Sequence, residues 1–445
     1  MPLASLLLLT AAAATVHAQS ASASAPASSS STGLLAQSSP SWLASIGVPS
    51  GVATSYPTGQ IDTGATLSTQ TLNLTAYPSP WTAPPTDSAE VQAVYNAIDW
   101  THVPNATVHK ASANGDLDMT GYDLTNDPYC WWSDTNCVMP KVNYLPQDIY
   151  YCPRVGDWGL TYDDGPFNPT GDNATTQWSE PNLYNFLAEH NNQKATLFYI
   201  GSNVATYPAA AQRAINDGHV ICVHTWSHPA MTTKSNVDVV AEFYWTLRAI
   251  KEATGVTPKC WRPPYGDVDD RVRAIAWQMG MRTIIWDEDT NDWNMPGDGG
   301  GTLAPSTVDG YFEGWIEARK NGSDNAQGHI VLEHELNNST VSMAEKWLPT
   351  LQQTFNVVTV QACMNVSQPY WEESWVYPTE AHNSTETTNI TSSASAGSTS
   401  AGQSAGASGS AASQGASSDA PRMALSIDMT MACVAVSLAL AFSLY

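Results

Sequence analysis

Basic residues are scarce in this chain. Seventeen Lys and Arg stand against 41 Asp and Glu, a formal charge of −24. That balance argues against nucleic acid as a partner, because recognition there needs a basic patch. An acidic surface is compatible with cationic partners, and it is also a plain solubility device. Apolar runs long enough to cross a membrane are missing at the amino end. Met1 to Ala18 carries only a short apolar core at Leu6 to Leu9, has no basic residue before it, and closes on Val16-His17-Ala18. This pattern reads as a secretory signal peptide over residues 1–18 rather than a span.

Residues that can be buried are missing from about Thr385 to Ser418, which is almost entirely Ser, Ala, Gly and Thr. Such a stretch cannot build a core and reads as a disordered stalk. After Arg422 the chain turns apolar from Met429 to Tyr445. Small residues, a polar spacer and an apolar tail make a GPI-anchor signal, with attachment near Gly415, Ser417 or Ser418. A transmembrane helix is the competing reading, disfavoured because Asp428 shortens the span and no polar segment follows. The resulting division is a signal peptide (1–18), a Ser/Ala/Pro-rich and loop-like extension (19–150), the main domain (151–365), a Ser/Thr-rich stalk (366–420) and the anchor signal (421–445).

Cysteine is sparse too, at seven residues. Cys433 lies in the tail expected to be removed. Cys130, Cys137, Cys152, Cys222, Cys260 and Cys363 remain, an even set suited to an oxidising compartment and up to three disulfides. The simplest local pairing is Cys130 with Cys137. Between them stand Trp131 and Trp132, a sugar platform or, more commonly, packing against the main domain. Asn73, Asn105, Asn173, Asn321, Asn337, Asn338, Asn365, Asn383 and Asn389 all fit the N-glycosylation sequon. With the signal peptide they imply a secreted glycoprotein. The stretch from Gln19 to about Pro85 is expected to be extended or disordered, and Thr86-Asp87 to cap a helix over Ala89 to Ile98.

From Trp158 the pattern becomes regular. Apolar, β-prone runs occur at Trp158–Tyr162, Ala195–Ile200, His219–His224, Pro258–Arg262, Arg282–Trp286, His329–His334 and Asn356–Val360, with helical patterns such as Asn182–Glu189 and Val237–Ala253 between them. Alternating strands and helices imply an α/β fold with a parallel sheet. Seven such units predict a closed or nearly closed barrel, an open doubly wound sheet being the alternative. Either architecture puts ligands at the carboxyl ends of the strands.

Reactive residues cluster at those ends. Asp163 and Asp164 end the first strand in G-L-T-Y-D-D-G-P (Gly159 to Pro166). His224-Thr225-Trp226-Ser227-His228 ends the third and Arg262-Pro263-Pro264-Tyr265-Gly266 the fourth. Asp289-Thr290-Asn291-Asp292-Trp293 follows the fifth, and Leu332-Glu333-His334 ends the sixth. Adjacent carboxylates repel, and one of them needs a cation or a proton. His224 and His228, four apart, can reach one ion if the segment turns like a helix. With Asp164 they make a two-His-one-carboxylate set, the ligands of an open catalytic zinc site with a position left for water. Asp163 then stays near the ion but off it, placed as a base toward that water.

The five segments together resemble the polysaccharide deacetylases with NodB homology, carbohydrate esterase family 4. The family's T-F-D-D-G-P stands here as Thr161 to Pro166 with Tyr162 for Phe. H-[ST]-x-x-H matches His224 to His228, and R-x-P-[YF]-G matches Arg262 to Gly266. D-x-x-D-[WY] matches Asp289 to Trp293, and L-x-H matches Leu332 to His334. The resemblance covers roughly Cys152 to Cys363 and implies a distorted (β/α)7-type barrel. It makes Asp163 the general base, His334 the general acid, and Asp164, His224 and His228 the ligands of a divalent metal, Zn2+ first and Co2+ second. Arg262 would orient Asp163, and Asp292 would orient His334. The backbone N–H of Tyr265 would face the oxyanion, and Trp293 and Leu332 would line a pocket for the acetyl methyl. Glu335 stands where many relatives have Asp.

By the same resemblance, secretion and the anchor signal point to hydrolysis of N-acetyl groups of GlcNAc residues in chitin, by a monomer held at the plasma membrane or cell wall. The same five motifs also occur in enzymes acting on peptidoglycan and xylan, so a deacetylase of another polysaccharide is an alternative. Cys152–Cys363 would close the domain's ends as in fungal relatives, and Cys222–Cys260 would join adjacent strands, although six cysteines allow fifteen connectivities. Two other classes stand beside this one. One is a catalytically silent wall glycoprotein that binds chitin through Trp131 and Trp132, which has no use for a positioned base and acid. The other is an iron oxygenase, which shares the ligand set but not the paired Asp163.

Overall fold

The parallel pairing foreseen for the main domain is what organises the computed structural model, which describes residues 40–43, 46–111, 117–169 and 178–379. The signal peptide, the stalk past residue 379, the anchor signal, Cys433 and the sequons at Asn173, Asn383 and Asn389 lie outside the described residues. The strands are β1 (Lys110–Ala111), β2 (Leu117–Asp118), β3 (Tyr151–Cys152), β4 (Asp157–Asp163), β5 (Thr196–Tyr199), β6 (Val220–Val223), β7 (Cys260–Trp261), β8 (Arg282–Thr283), β9 (Glu288–Asp289), β10 (Gly328–Leu332) and β11 (Asn356–Val358). The helices are α1 (Ala89–Ala97), α2 (Trp132–Thr135), α3 (Asn182–Glu189), α4 (Gly201–Thr206), α5 (Pro208–Asp217), α6 (Asn236–Thr254), α7 (Asp270–Gln278), α8 (Pro305–Asn321), α9 (Asn338–Thr354) and α10 (Val360–Cys363).

Strands β4 to β8 pair successively, each parallel to the next. β8 and β9 are the two ends of one run. The first end pairs with β7, the second with β10, and β10 pairs with β4. The pairing therefore comes round to its start, as a distorted barrel does and an open doubly wound sheet does not. β11 supplies the seventh parallel strand on the amino half of β4, whose carboxyl half is taken by β5. β3 adds an antiparallel edge to β10. Every residue of β4 is buried, as expected of a central strand covered on both faces. Trp158 packs among Phe312, Trp315 and Phe355. α6 starts on a capping box between Ser235 and Asp238, ends at Gly255 in the left-handed region (φ 76), and is buried over most of its length.

The first part of the extension, to residue 85, is mostly without regular elements where described, but it is packed. Leu43, Val52 and Tyr77 are buried. Leu72 N–H donates to Ala205 O at 2.9 Å, and Tyr77 stacks on Trp226 with ring centroids 5.7 Å apart. Isolated anchors without periodicity leave no element signal in the sequence, yet each buries real apolar area. α1 is capped by Ser88, whose side chain accepts from Val91 N–H at 3.2 Å, rather than by Thr86-Asp87. Residues 366–379, grouped by composition with the stalk, lie against the barrel. Tyr370, Trp375 and Tyr377 are buried there, and Lys259 N–H donates to Pro369 O at 2.9 Å.

The disulfides are Cys130–Cys137, Cys152–Cys363 and Cys222–Cys260. Among the described sequons, Asn73, Asn105, Asn321, Asn338 and Asn365 are exposed, whereas Asn337 is buried. Asn337 serves as the cap of α9, accepting from Ser339 N–H at 2.9 Å and donating to Asp298 O at 3.0 Å. It therefore has no free amide for a glycan in the folded protein.

His329, in β10, is held by Asp287 at 2.9 Å, Asp324 at 3.2 Å and Glu288 at 3.8 Å. Burial alone would lower its pKa, but these carboxylates raise it from 6.5 to about 9. A histidine raised in this way stabilises fully below its unfolded value and loses that contribution as pH rises through its folded value. His329→Gln is expected to melt about 5 °C below the parent protein at pH 6 and close to it at pH 10. Melting curves across that range check the prediction, and a gap that does not narrow with rising pH refutes it.

Candidate active site

Parallel strands bring their carboxyl ends to one rim, and the motif loops meet there. β4 ends on Asp163, which forms a parallel bridge with His334 across the β4–β10 edge. The Asp163 carboxylate is buried and accepts from Arg262 Nη1 at 2.7 Å. Arg262 is fully buried and is fixed on three further sides. Its Nη1 also donates to Thr161 Oγ1 at 2.8 Å, its Nη2 donates to Ile285 O at 3.1 Å, and its guanidinium lies 4.0 Å from the Phe198 ring centroid. Burial pushes the Asp163 carboxyl up to about 6, opposed by Arg262 and His334. It is therefore mostly ionised at neutral pH, with a proton affinity well above that of an ordinary aspartate.

Asp164 takes a left-handed backbone conformation (φ 77), and its carboxylate and that of Asp163 both approach His224 Nε2, at 3.6 and 3.8 Å. Its main chain is pinned on both sides, N–H to Phe198 O at 3.2 Å and O from Asn203 Nδ2 at 2.7 Å. Its Oδ1 stands 3.2 Å from His228 Nε2 and 3.6 Å from His224 Nε2, yet it is buried without a hydrogen-bond partner among the described residues. Although burial raises its pKa, His228 and the other imidazoles hold it below the usual carboxylate range.

His224 Nδ1 lies 2.9 Å from Arg262 O. A carbonyl only accepts, so that nitrogen carries the proton and Nε2 presents a lone pair. Burial, then the neighbouring His228, push the His224 pKa well below 6.5, keeping the ring neutral. His228 Nδ1 lies 3.1 Å from Tyr265 Oη. One carboxylate oxygen and two ring nitrogens, all within 4.8 Å of one another, suit a divalent ion, and the unpartnered Asp164 Oδ1 is the atom that lacks one. A second grouping, Asp127 with Cys130 and Cys137, is not a metal site because its two sulfurs are bonded to each other.

On the other side of Asp163, His334 Nδ1 meets Asp292 Oδ1 at 2.6 Å, and its main-chain N–H donates to Asp292 Oδ2 at 2.9 Å. Burial lowers the His334 pKa, but Asp292, with Asp164 and Asp163, raises it to about 10. This imidazolium thus has one nitrogen committed to Asp292 and the other available. Tyr265 is 40 % exposed and has φ 58. Leu332 ends β10 and is buried, and Trp293 is half-buried in the turn that carries Asp292. All the site residues expected from sequence therefore lie on this rim. A cavity of about 290 Å³ at the amino ends of β7 and β8, lined by Lys259, Arg282 and Gln361, contains none of them.

Three supports stand behind these residues, and of them Glu242 carries no local sequence signal. Glu242, buried within α6, accepts from the N–H groups of Trp226 and Ser227, both at 2.9 Å, and from Ser227 Oγ at 2.6 Å, so it shapes the His224–His228 loop. Thr161 bridges Arg262 to Val331 O. Glu335, behind Asp163, accepts from Tyr184 Oη at 3.0 Å beside the buried Glu180. Burial pushes both carboxyls up, so this pair retains a proton. A Cβ on Gly165 would run into the Glu335 side chain, which is why a glycine follows the two aspartates.

Residues 151–284 match the family model for polysaccharide deacetylase. A chitin deacetylase of Amylomyces rouxii is 46% identical over 308 residues, 68% of this chain and 69% of that one. Chitin deacetylase 2 of Cryptococcus neoformans var. grubii is 40% identical over 328 residues, 72% of this chain and 68% of that one. Among solved structures, the chitin deacetylase from Colletotrichum lindemuthianum aligns with a TM-score of 0.43 at 27% identity, over 51% of this chain and 96% of that chain.

Titration calorimetry with a divalent cation is expected to give one site per chain. His224→Gln or Asp164→Asn should weaken it at least ~100-fold, while His334→Gln should leave it within a few fold. Undiminished binding in His224→Gln would remove these residues as the ligand set.

Proposed function

Because this chain belongs to the polysaccharide deacetylase family, we propose that it hydrolyses the N-acetyl groups of GlcNAc residues in chitin, releasing acetate and leaving chitosan. The observation that carries this reading is the pairing at Asp163: a buried carboxylate braced by Arg262, with His334, itself held by Asp292, across the β4–β10 edge. A binding module has no need of a base and an acid held at one rim.

Asp164, His224 and His228 would hold the divalent ion, Zn2+ in the first instance and Co2+ in the second. When bound, such an ion polarises a carbonyl and lowers the pKa of water. Asp163 accepts a proton from the attacking water, its basicity set by burial against Arg262. Arg262 keeps the carboxylate in one orientation. The N–H of Tyr265 donates to the oxyanion that develops from the amide carbonyl. As the C–N bond breaks, His334 gives its proton to the leaving nitrogen, and Asp292 both aims that ring and keeps it charged until then. Trp293 and Leu332 line the space for the acetyl methyl.

In this reading the mature protein lies outside the cell, held at the plasma membrane or wall by a GPI anchor. The support for this is the composition of residues 1–18 and 421–445. We extend the folded catalytic unit past residue 365 to include Tyr370, Trp375 and Tyr377, and start the stalk after it.

The deciding experiment is acetate release from GlcNAc oligomers by the secreted protein. Chelator should abolish release, Zn2+ or Co2+ should restore it, and Asp163→Asn should lower kcat at least ~1000-fold. Release that survives both treatments would overturn the mechanism. Asp292→Asn tests the acid independently. Without that carboxylate the His334 pKa falls from its raised value, so the alkaline limb of kcat/KM should move to lower pH. A limb that stays in place would detach His334 from proton donation.

A further inference from the structure

We propose that Trp132, from the segment that precedes the barrel, is a stacking platform for a GlcNAc ring flanking the reacting one, so that the extension completes the substrate groove. This rests on the reading of the rim as a chitin deacetylase site and adds a residue outside its five motif loops.

The adjacent tryptophans of the Cys130–Cys137 loop have separate fates. Trp131 is fully buried, stacks on His109 at 3.6 Å and donates from Nε1 to Asp267 Oδ1 at 2.8 Å. It is a packing residue. Trp132 remains half-buried. Its ring covers Gly266, where a Cβ would collide with the indole, and it stands edge to face against Trp286 at 4.8 Å. Both neighbours belong to the rim. Gly266 follows Tyr265, whose hydroxyl is 3.1 Å from His228, and Trp286 lies 5.5 Å from the Arg262 guanidinium that braces Asp163. Trp132 thus sits one contact from each wall of the site.

What remains of the ring is chemically suited to a sugar. The buried tryptophan satisfies its N–H, whereas the half-buried Trp132 makes no side-chain hydrogen bond among the described residues, which leaves its Nε1 to donate to a hydroxyl. The C–H face of a β-linked pyranose is apolar and slightly positive, and it complements the negative face of an indole. The platform is also rigid before substrate arrives. The Cys130–Cys137 disulfide closes its loop, Asp267 accepts from Ser133 Oγ at 2.7 Å as well as from Trp131, and Trp132 N–H donates to Val268 O at 3.0 Å. Little ordering is left to oppose binding.

A residue that only packs would affect every substrate alike, whereas a flanking platform matters more for longer chains. The test compares Trp132→Leu and Trp132→Phe with wild type in the full secreted protein. The readouts are acetate release from GlcNAc dimers and hexamers, and hexamer affinity by titration calorimetry. In Trp132→Leu the hexamer-to-dimer ratio of kcat/KM should fall about tenfold, mostly through hexamer KM, and hexamer affinity should drop to match. Trp132→Phe, which keeps an aromatic face, should recover most of it. An equal loss on both oligomers, or an unchanged hexamer KM, would overturn the platform. If wild type binds the hexamer through Trp132 but releases no acetate, the subsite stands and the deacetylase reading falls. If wild type neither binds nor releases, both fall.

Discussion

Two adjacent carboxylates buried at the end of one strand are the constraint from which the rest of the site follows. Neither Asp163 nor Asp164 can be ionised in that setting without a compensating charge. Asp163 has Arg262, itself fully buried and held by Thr161, Ile285 and Phe198. Taking away one partner of such a pair costs roughly 3–5 kcal/mol, because the other is left charged in a dry place. Asp164 has the imidazoles of His228 and His224 beside it, which favour its ionised form. His224 is neutral and turned lone pair inward by Arg262 O. A carboxylate facing that lone pair is repelled unless a cation lies between them, and the ligand atoms of Asp164, His224 and His228 stand close enough together to share one.

That single arginine connects the two halves of the arrangement. Its side chain sets the basicity of Asp163, and its carbonyl fixes the tautomer of His224. Substitution at Arg262 therefore cannot be read as loss of an ion pair alone, since any shift of the backbone there also moves a metal-ligand candidate. Glu242 acts similarly from a distance. It fills two main-chain donors of the His224–His228 loop from within α6, and a glutamine there would keep the shape while weakening the charge-assisted bonds.

The strand ends and their reactive residues were readable because both signals are local. Alternation marks the strands, and in a parallel sheet the residues that follow them must share a rim. Seven of the barrel's strands lie where the apolar runs predicted them, within a residue or two for most. The supports at Glu180 and Glu242 were not readable, because they acquire meaning only from partners far off in sequence. The packing of residues 46–85 was hidden for a related reason: anchors such as Val52 and Tyr77 are single residues in a polar, proline-rich stretch, and composition averages them away. Residues 366–379 were grouped with the stalk by the same averaging. At Asn337 and Asn338 two overlapping sequons look alike as text, and a helix cap distinguishes them.

The backbone of the rim is unusual in one respect. Asp164, Thr225, His228, Tyr265 and Asn291 all have positive φ, and none is glycine. Each such residue costs roughly 1–3 kcal/mol where side-chain bulk opposes the conformation, and all five lie in motif loops. Glycine at any of them would relieve the backbone, and at Asp164 or His228 it would also delete a candidate metal ligand. The strain persists only because its surroundings leave the loops no alternative. Cys222–Cys260 ties β6 to β7 just below the histidine and arginine loops, and Cys152–Cys363 joins chain positions 211 residues apart. A bridge across so long a loop removes much of the unfolded chain's freedom. Stability concentrated in the wall is what lets the rim hold conformations that local propensity disfavours, and it explains why the rim's residues can be selected for chemistry rather than for fold.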